Sequence, residues 1–285
     1  MQYKKKMNFI KIIMSFAMIL MFMGGLPLSG SAHSVFIQSS RYFVNKGKAS
    51  PLFFCFGHHI PVDDGVRASK LKYIKIIDPE KNVSQVQMRH ETCLHSYMVY
   101  YDKPGTYVLS AQTNPGYYTV YIDKNGHEQH VLKSKDTIIG RAKKIKLSLF
   151  SRQYTKTYVV CKKSSPEFPG RIGQLLELVP TKDISKLKPG ENLELNIYYK
   201  GEEFSGEGVW DATYNGYSTR SEDYFYPRTT IKGAKIIIPI KRSGRWFVRY
   251  SFKLDAKDKD AKKCNQQKFT ATLVFQIPTE RKNKK

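Results

Sequence analysis

The sequence predicts an all-β protein with two tandem β-sandwich domains, immunoglobulin-like or transthyretin-like, behind a cleaved signal peptide. Three observations support this prediction. From Val35 onward, short runs of β-branched and aromatic residues alternate with clusters of Gly, Pro, Asn and Asp, as expected for strands joined by turns. No segment keeps the hydrophobic period of a long amphipathic helix. A cluster of turn-forming residues at 164–170 divides the strands into two sets.

Residues 1–32 have the composition of a secretory signal peptide. Four lysines lie before or beside an apolar run from Ile12 to Met23, and a glycine pair and a small-residue stretch ending at Ala32 follow it. The run is too short for a comfortable membrane span. We therefore expect cleavage after Ala32, a mature terminus at His33, and a periplasmic or secreted protein. The alternative is an uncleaved membrane anchor.

The remaining chain is long enough for two domains with cores of their own. Residues 33–170 form the predicted N-terminal domain, and residues 171–285 form the predicted C-terminal domain. The strand-length runs of the first domain are Ser50–Phe56, Leu71–Ile77, Gly105–Ala111 and Tyr117–Ile122. Those of the second are Leu175–Val179, Asn192–Tyr199, Gly208–Tyr214, Lys235–Ile240, Gly244–Leu254 and Lys268–Ile277. Six strands are enough for a small sandwich.

Four cysteines, Cys55, Cys93, Cys161 and Cys264, form an even set, which in an oxidising compartment predicts two disulfides. Three pairings are possible. We favour Cys55 with Cys93 and Cys161 with Cys264, since each crosslink then stays within or beside one domain. A zinc–thiolate site is disfavoured because none of the four has the close C-x-x-C spacing of structural zinc sites.

The chain is strongly basic, with 48 Lys and Arg against 24 Asp and Glu and a formal net charge of +24. For an exported protein this charge points to an anionic envelope surface, such as lipid or glycan, rather than to nucleic acid. The lysines are spread along the whole chain, which favours ordinary solvated faces over one dedicated patch.

All seven histidines lie before residue 131. After cleavage, His33 would offer its free α-amino group and an imidazole nitrogen to one metal ion, and His58 and His59 would add imidazoles from a loop that ends at Pro61. Such nitrogen-rich sets suit copper(II), nickel(II) or cobalt(II). His90 and His95 flank Cys93 and would join the site if the Cys55–Cys93 bridge formed. The last two, His127 and His130, flank a predicted Asn-Gly hairpin turn and are expected to be exposed.

The chain resembles the periplasmic accessory proteins of nickel and cobalt uptake, a domain-of-unknown-function family whose members are labelled nickel uptake transporter proteins. The segments that carry the resemblance run over nearly the whole mature chain. They are Ala32-His33, Phe56–Pro61, Lys103–Ala111, Pro115–Tyr118, Leu176–Pro180, Leu187–Glu191, Ala212–Tyr217 and Ser243–Tyr250. The resemblance implies an extracytoplasmic protein that binds a transition metal and serves a membrane permease, with His33 and His58 at matching ligand positions. We therefore expect a non-enzymatic protein that assists nickel or cobalt uptake. The chain departs from the family in its basicity and in a lysine-rich insertion at 255–263.

Two other functions use features of the same sequence. A copper oxygenase with an amino-terminal histidine brace would use the same histidines, but the sequence shows no substrate platform. A glycan-binding or adhesion module would stack sugars on the aromatic residues of Trp210–Tyr217, although ordinary core packing explains that cluster more simply. Hydrolase and nucleotide chemistry has little support, because there is no G-x-S-x-G, H-E-x-x-H, P-loop or dinucleotide motif.

Overall fold

The chain folds almost entirely into strands, and side-chain alternation explains why. Along Asn192–Tyr199, Leu193, Leu195 and Ile197 are fully buried, while polar side chains lie between the three. This period of two buries one face of the strand and leaves the other face partly exposed to solvent. The structure, a computed structural model, describes residues 33–90, 94–168 and 170–279, and the predicted signal peptide lies outside them. The predicted all-β, sandwich-like fold is confirmed.

Eighteen strands, one short α-helix and three 3-10 helices make up the regular structure of the described residues, and the 3-10 helices are Ala68–Lys70, Lys135–Thr137 and Ile184–Lys186. The strands are β1 (Ser34–Ser39), β2 (Phe43–Val44), β3 (Lys48–Gly57), β4 (Leu71–Ile77), β5 (Val83–Gln85), β6 (Ser96–Tyr101), β7 (Gly105–Thr113), β8 (Gly116–Asp123), β9 (Glu128–Val131), β10 (Ala142–Cys161), β11 (Leu176–Pro180), β12 (Asn192–Tyr199), β13 (Glu202–Glu203), β14 (Glu207–Tyr214), β15 (Tyr226–Lys232), β16 (Lys235–Pro239), β17 (Gly244–Asp255) and β18 (Gln266–Ile277). Helix α1 is Asp258–Lys263, within the lysine-rich insertion. None of the helices described is long and apolar enough to cross a membrane.

The strands form three sheets. The smallest has the order β1-β3-β6, and a four-stranded sheet joins β11, β12, β13 and β16. The largest has eleven strands, with the path β15-β14-β17-β18-β10-β7-β4-β5 and with β2, β8 and β9 attached through β10 and β8. Strand β10 is twenty residues long and pairs with β8, β18, β7 and β2 along its length.

Three hydrophobic clusters lie on the large sheet, and the smallest packs Phe36 of β1 and Cys55 of β3 against Phe247 of β17 and Val274 of β18. Of the two larger clusters, one packs the β1-β3-β6 sheet against β4, β7 and β10, and includes Val35, Leu52 and Leu109. The other packs the four-stranded sheet against β14, β17 and β18, around Trp246 and Phe275. The predicted boundary near residue 170 stays a prediction. The core around Trp246 also includes Val108, Tyr154 and Tyr158 from before that boundary, and β10 pairs with β18 within the large sheet.

The predicted disulfide between Cys161 and Cys264 is wrong. Both residues are buried free thiols, as is Cys55, while Cys93 lies outside the described residues. Strands β10 and β18 are parallel, and Leu149 pairs with Gln266, so Cys264 lies beside the start of this ladder and Cys161 lies twelve residues further along. At about 3.3 Å per residue the two are roughly 40 Å apart, whereas a disulfide needs Cα atoms within about 7 Å. Gln38 donates a hydrogen bond to the Cys55 sulfur.

Candidate metal site

Two of the predicted ligands, His33 and His58, lie side by side because of the β1–β3 register. Ser34 pairs with Gly57 in the antiparallel ladder. His33, just before Ser34, therefore faces His58, just after Gly57. The two imidazole centroids are 4.6 Å apart, and the edge of the Phe56 ring packs against His33 at 5.2 Å. The sequence places these histidines 25 residues apart, and the β1–β3 ladder brings them together.

The carboxylate of Glu222 contacts the imidazole of His58 and orients it. The His58 Nδ1 contacts Glu222 Oε1, and the His58 side chain is largely buried. Glu222 in turn accepts hydrogen bonds from both terminal nitrogens of Arg249, at 3.1 and 2.8 Å. A carboxylate on one ring nitrogen orients a histidine so that the other, Nε2, is directed to a metal. Glu222 has φ of +59°, a left-handed conformation that this loop imposes on a non-glycine residue.

Arg249 links this carboxylate to the core. Its guanidinium donates to both oxygens of Asp211, the shortest bond being 2.6 Å, and both residues are almost fully buried. It also donates to the Ser34 hydroxyl at 3.3 Å, beside His33. Burial opposes the charge of Arg249, but the two carboxylates outweigh burial and raise the pKa of the guanidinium. Asp211, Arg249, Glu222 and His58 thus form one continuous polar chain from the large sheet to the candidate ligand.

Asp63 shapes the loop that carries the histidine pair. Its Oδ2 accepts hydrogen bonds from the backbone N–H groups of His58 and His59, at 2.5 and 2.9 Å. A Cβ at Gly57 would overlap the Asp63 carboxylate, so only glycine fits there. Burial raises the pKa of Asp63, but the hydrogen bonds from His58 and His59 outweigh burial and lower it. The carboxylate therefore remains ionised and holds the loop closed at neutral pH.

The other predicted ligands are not brought to this pair. His59 turns toward Asp63, with Nδ1 3.2 Å from Oδ2, and its Nε2 is buried without a hydrogen-bond partner in the described residues. His90 is exposed. His95 is buried and contacts the Tyr97 hydroxyl through Nδ1 at 3.1 Å. The β3–β6 register places His95 four residues from His58 along the sheet, about 13 Å away.

Within the described residues, no group of three His, Cys, Asp or Glu side chains is arranged to hold a metal. The pair His33 and His58 supplies two imidazole nitrogens. A third nitrogen would come from the α-amino group of His33 if the chain is cut after Ala32. The donor chemistry therefore fits a nitrogen-coordinated transition metal, and it fits calcium or magnesium poorly because those ions require oxygen ligands.

The structure also shows where the hairpin histidines and the aromatic residues of Trp210–Tyr217 lie. His127 and His130 lie exposed in the β8–β9 hairpin, whose turn has Gly126 at φ +90°, as predicted. The Trp210–Tyr217 aromatic residues pack among themselves and onto the C-terminal core. Trp210 lies 5.9 Å from Tyr226, and Tyr214 lies 5.1 Å from Trp246. This packing is the simpler of the two interpretations of that cluster.

The supporting residues Asp63, Asp211, Glu222 and Arg249 were missed in the sequence. Asp63 follows the histidine pair by only four residues, which is a usable signal for a loop-closing Asx contact. The other three have no local sequence signature. Asp211 lies on β14, Glu222 lies in the loop before β15 and Arg249 lies on β17, and each is more than 150 residues from His58.

Comparison with known proteins adds a family but no activity. A family described as Domain of unknown function (DUF4198) matches residues 30–254, most of the chain. No curated protein sequence matches. One similar solved structure is an alpha-2-macroglobulin of Salmonella, with 11% identity, coverage of 88% of this chain and 15% of that chain, and a TM-score of 0.25. Another is the alpha-2-macroglobulin of Escherichia coli, with 10% identity, coverage of 87% of this chain and 20% of that chain, and a TM-score of 0.22. The two tandem V-type regions of a v-region-containing chitin binding protein are similar at 10% identity, over 87% of this chain and 100% of that chain, with TM-score 0.20. The chain spans a fifth or less of either macroglobulin.

Proposed function

The chain belongs to the DUF4198 family, and we propose that it is an exported, non-enzymatic protein that binds a transition metal through His33 and His58 and delivers it to a membrane permease. The observation that carries the proposal is the adjacent pair of imidazoles, 4.6 Å apart, with Glu222 behind one of them. Nickel and cobalt are proposed as cargo because of the resemblance to nickel and cobalt uptake proteins, and copper(II) suits the same donors.

The terminal position of His33 is the basis of the proposed affinity. An amine and an imidazole from one residue close a chelate ring, and no loop must be ordered for this. A second imidazole from His58 would complete a three-nitrogen set, and open positions would remain for release to a partner. Glu222 would keep His58 in the ligating orientation through its contact with Nδ1.

The test is titration calorimetry with nickel(II) on the chain purified after export. We expect one high-affinity site in the protein that begins at His33. A single glycine placed ahead of His33 should weaken binding, since it removes the amine and leaves every side chain in place. His58→Ala should also weaken binding. His127→Ala, which removes an exposed hairpin histidine, is the matched control and should change nothing.

Glu222 provides a second arm of the same test. Glu222→Gln keeps the shape of the side chain but removes its charge, and the loss of a carboxylate behind a ligating histidine lowers metal affinity by about 10- to 100-fold. Equal affinity in the processed and the extended proteins would refute the role of the terminus. Full affinity in His58→Ala would refute the proposed site.

A further inference from the structure

A row of cations borders the candidate metal site. In the large sheet, Lys268 of β18 pairs with Lys253 of β17 on one side and with Ser151 of β10 on the other. Two residues along β10, Gln153 lies on the same face and donates a hydrogen bond to the carbonyl of His33 at 2.9 Å. The Lys268 row is therefore the next row of side chains beside His33.

Among the described residues, no ion pair neutralises this row. Burial, followed by the positive charges of Arg249, Arg228 and Lys253, lowers the pKa of Lys268 to about 8 against the opposing charge of Glu222, so Lys268 is still protonated at neutral pH. The described residues supply no carboxylate that forms an ion pair with Lys268, Lys253 or Arg228. The two acidic residues nearby, Asp211 and Glu222, are both bonded to Arg249. Like charges opposite each other on neighbouring strands destabilise a sheet, which makes this placement costly without an anion.

This field opposes the binding of a bare dication, so we expect bare nickel(II) to bind less tightly than a neutral or anionic nickel complex. The two ligating imidazoles carry no charge when they hold a metal, and the cations Arg249, Arg228, Lys253 and Lys268 outnumber the carboxylates Asp211, Glu222 and Asp63. An added divalent ion would increase this excess positive charge, which is repulsive. A metal that arrives with a multiply charged carboxylate ligand would be neutral or negative overall. Its carboxylate oxygens would also fill the coordination positions that two imidazoles and one amine leave open.

We propose that the site takes its metal as a complex with a small polycarboxylate chelator, and that Lys268, with Lys253 and Arg228, binds the carboxylate that faces the protein. The inference rests on the proposed function, since the metal must first be held by His33 and His58. It adds a chemical class of cargo, the anionic metal chelate, and a specificity-determining residue, Lys268.

The experiment is equilibrium dialysis of the exported, full mature chain with radiolabelled citrate, with and without equimolar nickel(II). We expect nickel and citrate to be retained together in equal amounts, and citrate alone to be poorly retained. Lys268→Gln should keep nickel binding in citrate-free buffer but lower the affinity for nickel–citrate by about tenfold, the value of one charge-assisted contact. Lys259→Gln, an exposed change of equal charge in helix α1, is the control and should match the original protein.

The outcomes separate the two proposals. If citrate strips nickel from the protein and is not itself retained, the chelate inference is overturned while metal binding stands. If nickel is retained in neither buffer, the proposed function itself fails. Equal retention of citrate with and without nickel would show a plain anion site and would overturn the claim that the chelate is the cargo. An unchanged nickel–citrate affinity in Lys268→Gln would remove that residue from the inference.

Discussion

Arg249→Met is the substitution that tests the polar chain from Asp211 to His58 that supports the candidate metal site. It keeps a long side chain in β17 but removes every hydrogen bond that Arg249 donates to Asp211, Glu222 and Ser34. Asp211 is 2% exposed and would keep a buried carboxylate without its ion-pair partner, with Arg228 as the remaining cation that acts on it. Breaking a buried ion pair from one side costs about 3–5 kcal/mol. We expect a loss of that size in the free energy of unfolding at pH 7.

Urea unfolding followed through the fluorescence of Trp246, which is fully buried, measures this loss. The pH dependence gives a second check. Burial raises the pKa of Asp211, and Arg249 opposes that rise, so the variant should have a still higher pKa there. A group whose pKa is raised on folding contributes stability at low pH and loses it as pH rises through the folded pKa. The deficit should therefore be largest at pH 7 and shrink toward pH 4.

Asp211→Asn combined with Arg249→Met should recover part of the lost stability, because it removes the unpaired charge. A loss below about 1 kcal/mol in the single variant at pH 7, or a loss that does not change with pH, would refute the reasoning. It would mean that water or another cation replaces the guanidinium, and that the chain from Asp211 to His58 does not hold the site in place.

Two further predictions concern the loops around the cores. Gly57→Ala should cost about 1–3 kcal/mol in urea unfolding and should weaken nickel binding, because its Cβ would displace Asp63 and with it the backbone of His58; unchanged nickel affinity would contradict this. Asp78→Asn should cost about 1–2 kcal/mol at pH 7, since hydrogen bonds from Lys103 and Asn82 outweigh burial and lower the pKa of Asp78 to about 2. A lowered pKa adds stability above the unfolded value of 3.8 that disappears as pH falls toward 2, so the two proteins should converge there, and a constant difference would refute the assignment.

The C-terminal strands were predictable because their burial follows sequence hydrophobicity. The predicted runs at 192–199 and 244–254 agree with β12 and β17 to within one residue. Strand β10 was missed, and its chemistry explains the failure. Its central buried residues include Thr155 and Thr157, whose hydroxyls bond the backbone of β1 and β18, so a buried strand carries a polar sequence. A hydrophobic period cannot reveal a strand that is buried through side-chain hydrogen bonds.

The candidate site was predictable from the sequence only in part. The histidine skew and the expected terminus at His33 directed attention to His33 and His58, which the structure places side by side, while their role as metal ligands stays a prediction. The support for His58 was invisible, since glutamate and arginine are common and the pairing of Glu222 with Arg249 depends on tertiary geometry. The Cys161–Cys264 pairing was wrong because an even count of cysteines says nothing about which ends of parallel strands they occupy.

The way β1 is anchored connects the fold to the proposed chemistry. Chain termini usually fray, and ordering a frayed terminus costs conformational entropy. This cost would lower the metal affinity of a ligand at the terminus. Here β1 is held on one side by the β3 ladder. On the other, the side chains of Gln153, Thr155 and Thr272 bond its backbone at 2.7–2.9 Å. The polar residues buried on the large sheet therefore fix His33 opposite His58, which is the arrangement that the proposed metal site requires.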